Sequence, residues 1–340
     1  MKAIVLKGFG GPEQLHVEDV PTPVPGAGDV RVRIHAAGIC HHDLLHRAGK
    51  LPGAACGVVL GHEVAGEVVE LGAGVSQLDL GDRVVVYQRR FCGQCRDCLR
   101  GRQDLCRALG LPSVDTEGAY AEYLSVPAAS AVKLPDGLDY PQAALASCPI
   151  ATSLRALRLA GVKPGDQVLI NGASGGLGTH QIQIARALGA QVIAVTGSAD
   201  KVAFLESLGA HEVVVADAEG FSAAVWQRTG KRGVDVAIEN LGHTLGGTLR
   251  CMAMGGRVVV LGNVQPGAVD VSPGLLIGRR LQVQGSGSAT LEDLREALAL
   301  MATGQVRALI DRVLPFHEVA QAHALLEARQ VNGRIVLSGW

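Results

Sequence analysis

Hydrophobic positions fall into two textures along this chain. Up to about residue 150 they come in short alternating runs broken by Gly and Pro, of which residues 30–35, 66–71 and 83–87 read as strands. After Lys163-Pro164-Gly165-Asp166 the runs become continuous and apolar, separated by segments of helical periodicity. Residues 167–171, 191–196, 212–216, 234–238 and 257–261 read as strands, with helices at 177–188, 201–208, 220–228 and 244–254 between them and a sixth strand at 280–285. Alternation on this scale calls for a parallel sheet, because parallel neighbours need crossover connections. Beyond it, 291–302 and 319–328 read as helices and 334–337 as a strand, so the C-terminus is expected to rejoin the first domain. The expected organisation is a β-rich domain of residues 1–152 and 287–340, with a lobe at about 88–110, and a doubly wound α/β domain of residues 153–286.

Composition narrows the function classes. Of 340 residues 48% are hydrophobic and only 3% aromatic, so two cores must be packed from aliphatic side chains. With 31 basic and 32 acidic residues the chain has no electrostatic footprint for nucleic acid or an anionic membrane, and a small-molecule partner is expected instead. The start lacks the apolar stretch of a signal peptide and no run of eighteen apolar residues follows, which leads to the expectation of a cytoplasmic protein.

Cys92, Cys95, Cys98 and Cys106 form a C-x2-C-x2-C-x7-C run. Thiolates at this spacing let a short loop wrap a tetrahedral zinc at about 2.3 Å, and four of them leave no open coordination position, so the site is structural. Disulfides would need an oxidising compartment. A ferredoxin-type cluster would want its fourth Cys three residues after the third, followed by Pro; here the gap is seven and Arg107 follows.

Directly after the first strand of the alternating region comes Gly172-Ala173-Ser174-Gly175-Gly176-Leu177-Gly178, opening into a helix. Small residues there allow a sharp turn and close approach to a pyrophosphate, whose charge meets free N–H groups at the helix N-terminus. The plain tight turn is the competing explanation. The second strand ends in Thr196-Gly197-Ser198, without the carboxylate that would bind a ribose diol and repel a 2′-phosphate, and Lys201 follows. This favours NADP, with NAD as the alternative.

Cys40, His42, Asp43, His62, Glu63 and Cys148 are scattered over the first half of the chain. Two thiolates and one imidazole, if brought together, make a three-ligand zinc shell with a fourth position for substrate. Taken singly, each is more often a core thiol or a satisfied histidine.

In the order Gly38-Ile39-Cys40-His41-His42-Asp43, Gly61-His62-Glu63, the four-Cys lobe, Cys148 with Thr152, and the strand, glycine loop and helix, the chain resembles the zinc-type medium-chain dehydrogenase/reductase family, typified by alcohol dehydrogenases, over nearly its whole length. The resemblance implies a Rossmann doubly wound sheet plus a β-rich GroES-like catalytic domain, and two zinc ions per chain. Cys40, His62 and Cys148 would ligate catalytic zinc, Glu63 would be an alternate or nearby ligand, and Asp43 would accept from the other His62 nitrogen. Thr152, Ala173, Ser174, Gly175, Gly176, Leu177, Gly178, Gly262, Asn263, Val264, Gly285, Ser286 and Arg334 would line the cofactor. A homodimer or homotetramer is implied on the same ground.

The chain departs from the alcohol dehydrogenases at the proton relay. Where they place Ser or Thr two residues after the first zinc Cys, His42 stands, and five residues after it Leu45 replaces a His, with His46 one further on. The glycine loop also resembles that of acryloyl-CoA reductases. Three readings follow: a zinc alcohol/aldehyde oxidoreductase, an NADPH-dependent enoyl or quinone reductase on the same scaffold, and a noncatalytic dinucleotide sensor. Leu51, Tyr87 and Leu111 are candidates for the substrate pocket, while Cys56 and Cys251 read as unligated thiols.

Overall fold

The computed structural model describes residues 1–107 and 118–340; Leu111 and the end of the expected lobe lie outside the described residues. The chain divides into two compact units, one of Met1–Ala151, Ala289–Gly304 and Ala308–Trp340, the other of Thr152–Ser288 and Gln305–Arg307.

The first unit is built on a seven-stranded, mostly antiparallel sheet. Asp29–Gly38 is its central strand, pairing with Glu63–Leu71, with Tyr123–Pro127 and with Arg334–Leu337. Arg334–Leu337 in turn runs parallel to Ile310–Leu314, so the C-terminal segment is part of this sheet. Lys2–Leu6 and Leu15–Asp19 form a separate ribbon. The apolar alternation explains the burial: Val30, Val32 and Ile34 point into the core together with Val64, Val84 and Leu124, and Tyr120 and Phe316 are its fully buried aromatics.

The second unit is a six-stranded parallel sheet in the order Glu212–Val215, Gln191–Thr196, Gln167–Ile170, Val234–Glu239, Met252–Val260, Gln282–Gly285. The chain winds outward in one direction from Gln167–Ile170 and then in the other from Val234–Glu239. The switch point between these two strands is where a Rossmann sheet binds its ligand, beyond the strand C-termini. One element differs from expectation. The helix expected over 244–254 ends at Arg250, and Met252 already begins the next strand. Met252 pairs with Val234 before the register shifts, and Gly255, at φ +72°, with Gly256 supplies the bulge that allows it. Among the described residues no helix is long and apolar enough to cross a membrane.

Candidate active site and metal centres

Pairing within the first unit's sheet brings three distant segments together. Gly38 sits opposite Glu63, so Cys40, just past one strand, is adjacent to His62, just before the other. A Cβ on Gly38 would lie 2.1 Å from Glu63 Oε2, which is why glycine stands there: the carboxylate tucks against bare backbone. Cys40 caps the helix His41–Arg47, and Asp43 reaches back to accept its backbone N–H at 2.9 Å. Cys148 comes from a wide π-type turn, Ala146–Ile150, in which Pro149 has no N–H to give and Ile150 bonds back to Leu145.

The ligand atoms of Cys40, His62, Glu63 and Cys148 all lie within 4.8 Å of one another. Asp43 Oδ1 stands 3.2 Å from His62 Nδ1. Arg334 Nη2 is 2.9 Å from Glu63 Oε1 and donates to Cys40 Sγ at 3.3 Å. The Cys148 thiol, then Arg334 and His62, hold Cys40 well below the usual thiol range, and the same pairing pushes Cys148 up. Burial raises Glu63 to about 7 despite Arg334. For His62 burial opposes the charged ring, but Asp43 and Cys40 outweigh it and raise the pKa. The donor set fits a metal ion. Glu63 is fully buried and Arg334 meets its Oε1, while among the described residues Oε2 has no partner, an arrangement that a further cation would satisfy.

Cys92, Cys95, Cys98 and Cys106 also cluster. Their sulfurs lie 3.7 Å (Cys92–Cys106), 3.9 Å (Cys95–Cys106) and 4.0 Å (Cys92–Cys98) apart. A tetrahedron of sulfurs about 2.3 Å from zinc has edges of about 3.8 Å, whereas a disulfide needs about 2.05 Å. Backbone N–H groups of Gln94 and Cys95 lower the Cys92 thiol to about 6, the form a metal takes. The cage fits zinc.

In the second unit, the loop expected to take a pyrophosphate follows Gln167–Ile170 and opens into the helix Gly178–Ala187. Gly172 has φ +62°, and a Cβ on Gly178 would lie 2.5 Å from Ala173 O, so the glycines are steric requirements of this turn. A buried network ties the loop to the neighbouring strand end. Glu239 accepts from Asn171 Nδ2 (2.8 Å), from the backbone N–H groups of Leu241 (2.9 Å) and Gly242 (3.0 Å), and from the hydroxyls of Thr244 and Thr248. Thr152, Ala173 to Gly178, Thr196, Ser198, Lys201, Gly262 to Val264, Gly285 and Ser286 all belong to this unit. Among the described residues the buried Ser286 hydroxyl has no partner, and the Ser198 hydroxyl donates to the exposed Asp200. Arg334 belongs to the first unit, where its guanidinium meets Glu63 and Cys40.

Comparison with known proteins agrees along the whole chain. Residues 26–136 match the alcohol dehydrogenase GroES-like domain and 176–303 the zinc-binding dehydrogenase domain. An acryloyl-coenzyme A reductase of Metallosphaera sedula is 33% identical over 99% of this chain and 100% of its own length. This chain belongs to the zinc-type medium-chain dehydrogenase/reductase family. A NAD-dependent alcohol dehydrogenase of Sulfolobus acidocaldarius is 34% identical over 99% of both chains. The solved structure of AibC superposes with a TM-score of 0.92 at 43% identity, covering 100% of this chain and 96% of that one. The protein is accordingly an oxidoreductase of the alcohol dehydrogenase family.

Within this dehydrogenase/reductase framework some residues carry more than their sequence positions suggested. His42 packs edge-on against His62, ring centroids 5.5 Å apart, and its buried Nδ1 has no partner among the described residues. Burial first and His62 second lower its pKa. His46 is spoken for by the backbone, its Nε2 lying 3.1 Å from Ala55 O and 3.2 Å from Ala55 N. Tyr120, which no motif singled out, donates to Asp43 at 2.9 Å. A mainly apolar cavity of about 630 Å³ is lined by Val5, Val20, Pro21, Val86 and Tyr123, and His62 is the one candidate ligand in its wall.

Proposed function

We propose that this protein interconverts an alcohol with an aldehyde or ketone by hydride transfer to or from NAD(P), NADP being favoured, and holds two zinc ions, one catalytic and one structural. The observation that carries this reading is the convergence of Cys40, His62, Glu63 and Cys148. Zinc held there supplies a Lewis acid that polarises a carbonyl oxygen or acidifies an alcohol hydroxyl. Cys40, His62 and Cys148 would hold it, with Glu63 as an alternate ligand. Asp43, at His62 Nδ1, leaves Nε2 for the ion and fixes the tautomer. His42, kept neutral near pH 7 by its lowered pKa, would take the substrate proton at Nδ1 and return it in the reverse direction.

In the second unit the glycine loop and the helix N-terminus would bind the pyrophosphate, and the unpartnered Ser286 hydroxyl offers a further contact. The absence of a carboxylate at Thr196-Gly197-Ser198 supports NADPH. Asp200, just beyond, opposes it with an exposed negative charge.

A second reading is an NADPH-dependent enoyl (acryloyl-CoA-like) or quinone reductase on the same scaffold. Identity to the acryloyl-coenzyme A reductase and the imidazole of His42 in place of a hydroxyl favour it. Both readings meet one experiment: wild type and Cys40→Ser, with zinc quantified, run against alcohols, carbonyls and enoyl thioesters with each nicotinamide. Alcohol–carbonyl turnover lost in Cys40→Ser supports the first reading. Enoyl reduction that survives in Cys40→Ser, without alcohol oxidation in wild type, supports the second.

We also propose a homodimer or homotetramer. The edge strand Gln282–Gly285 is exposed along its whole length and the helix Pro273–Arg279 buries no residue, which leaves Ile277 and Val283 open. A monomer mass by light scattering would refute it. We infer a cytoplasmic location, because thiolate ligand sets such as the four-Cys lobe require cysteines that stay reduced.

A further inference from the structure

The Asp43 carboxylate meets two candidate ligands, Cys40 and His62, and a third group outside the metal cluster, Tyr120. Its Oδ2 accepts from the Cys40 backbone N–H at 2.9 Å and from the Tyr120 hydroxyl at 2.9 Å, while Oδ1 faces His62 Nδ1 at 3.2 Å. One carboxylate thus orients the backbone of one candidate ligand and the ring of another. The phenol holds that carboxylate from a third side.

Tyr120 is itself immobilised. It is fully buried, its N–H donates to Leu60 O at 2.9 Å, its carbonyl accepts from Ile4 at 2.7 Å, and the preceding Ala119 N–H donates to Gly61 O at 3.0 Å. Its ring lies directly on Gly61, where an added Cβ would come within 2.6 Å of Cδ1, and Gly61 holds φ +95°. The turn that delivers His62 is therefore moulded by the ring, and the Asp43 carboxylate that aligns His62 is moored by the hydroxyl.

We propose that Tyr120 is a positioning residue for the catalytic metal: through Asp43 it fixes Cys40 and His62 in the arrangement that retains the ion. This rests on the reading of Cys40, His62 and Cys148 as metal ligands. Groups that hydrogen-bond a metal ligand directly, as Asp43 does to His62, typically change metal affinity about 10- to 100-fold when lost; Tyr120 acts one bond further out, through Asp43, so its loss should cost up to about 10-fold.

Tyr120→Phe isolates the hydroxyl, because the ring and its contact with Gly61 remain. The assay is zinc release from holoenzyme to a chromophoric chelator, followed in wild type, Tyr120→Phe and Cys40→Ser, with total zinc measured for each. Wild type should release zinc in two phases, and the phase missing in Cys40→Ser identifies the catalytic site. In Tyr120→Phe that phase should be faster by up to about 10-fold, with the four-Cys lobe phase unchanged. Release at the wild-type rate overturns the proposal, and so does acceleration of both phases together, which would indicate general loosening. If Cys40→Ser instead retains the wild-type zinc content and both phases, it is the ligand assignment that has failed, and the role of Tyr120 falls with it.

Discussion

Acid should destabilise the first unit through His323. This ring lies on the helix Val319–Glu327, fully buried, with Nδ1 3.1 Å from Arg47 Nη1, itself buried and paired with Glu327. Burial is the main cause that lowers its pKa from 6.5 to about 3; Asp43 pulls weakly the other way and Arg47 adds to the lowering. Because the folded value is the lower one, the unfolded chain binds the extra proton, so stability is fully present above about pH 6.5 and is lost as pH falls from there towards 3. At pH 5 the unfolded histidine is protonated and the folded one is not, which works out at about 2 kcal/mol relative to pH 8. The chain has two tryptophans, and Trp340, stacked on Phe316 at 4.7 Å, belongs to the first unit. In a Trp226→Phe background, urea unfolding followed by Trp340 fluorescence therefore reads the unit that holds His323. His323→Gln keeps an acceptor for Arg47 and cannot titrate. Between pH 8 and pH 5 the parent should lose about 2 kcal/mol more than His323→Gln. Parallel pH dependences in the two proteins would refute the reasoning.

Cys95→Ser should remove one zinc equivalent and lower the melting temperature, and an unchanged zinc content by mass spectrometry would rule out the cage. Glu239→Gln offers an amide N–H₂ to donors that need an acceptor, and should cost the second unit about 1–3 kcal/mol in unfolding followed by Trp226 fluorescence, with weaker NADPH binding in a fluorescence titration. Asp200→Asn removes the exposed charge next to Ser198 and should raise kcat/KM for NADPH relative to NADH; no change in the ratio would place cofactor choice elsewhere.

Legibility followed the range of the pattern. Strands such as Gln167–Ile170, Gln191–Thr196 and Val234–Glu239 could be read because they are mostly buried apolar runs, whereas the edge strand Gln282–Gly285 is exposed along its whole length. The helix over 244–254 was over-read because residues such as Leu249 and Met252 suit either element, and pairing with Val234 decided for a strand at Met252. The ribbon strand Leu15–Asp19 left little trace, since most of it is exposed. Tyr120 left none: a lone aromatic between alanines says only that it is buried, and what its hydroxyl meets depends on Asp43, contributed by a distant helix.

The sequence by itself determined whatever is set by neighbours in the chain. The four-Cys loop, the glycine turn between strand and helix, and the two textures of hydrophobic pattern need only local spacing and local sterics. Tertiary structure alone decided which polar groups meet: Cys40, His62 and Cys148 around one point, Arg334 against Glu63 and Cys40, Asp43 shared among three donors. Burying such groups is costly unless each finds its partner, and partners from separate segments are chosen by how strands pair and helices dock, which no short stretch of residues encodes.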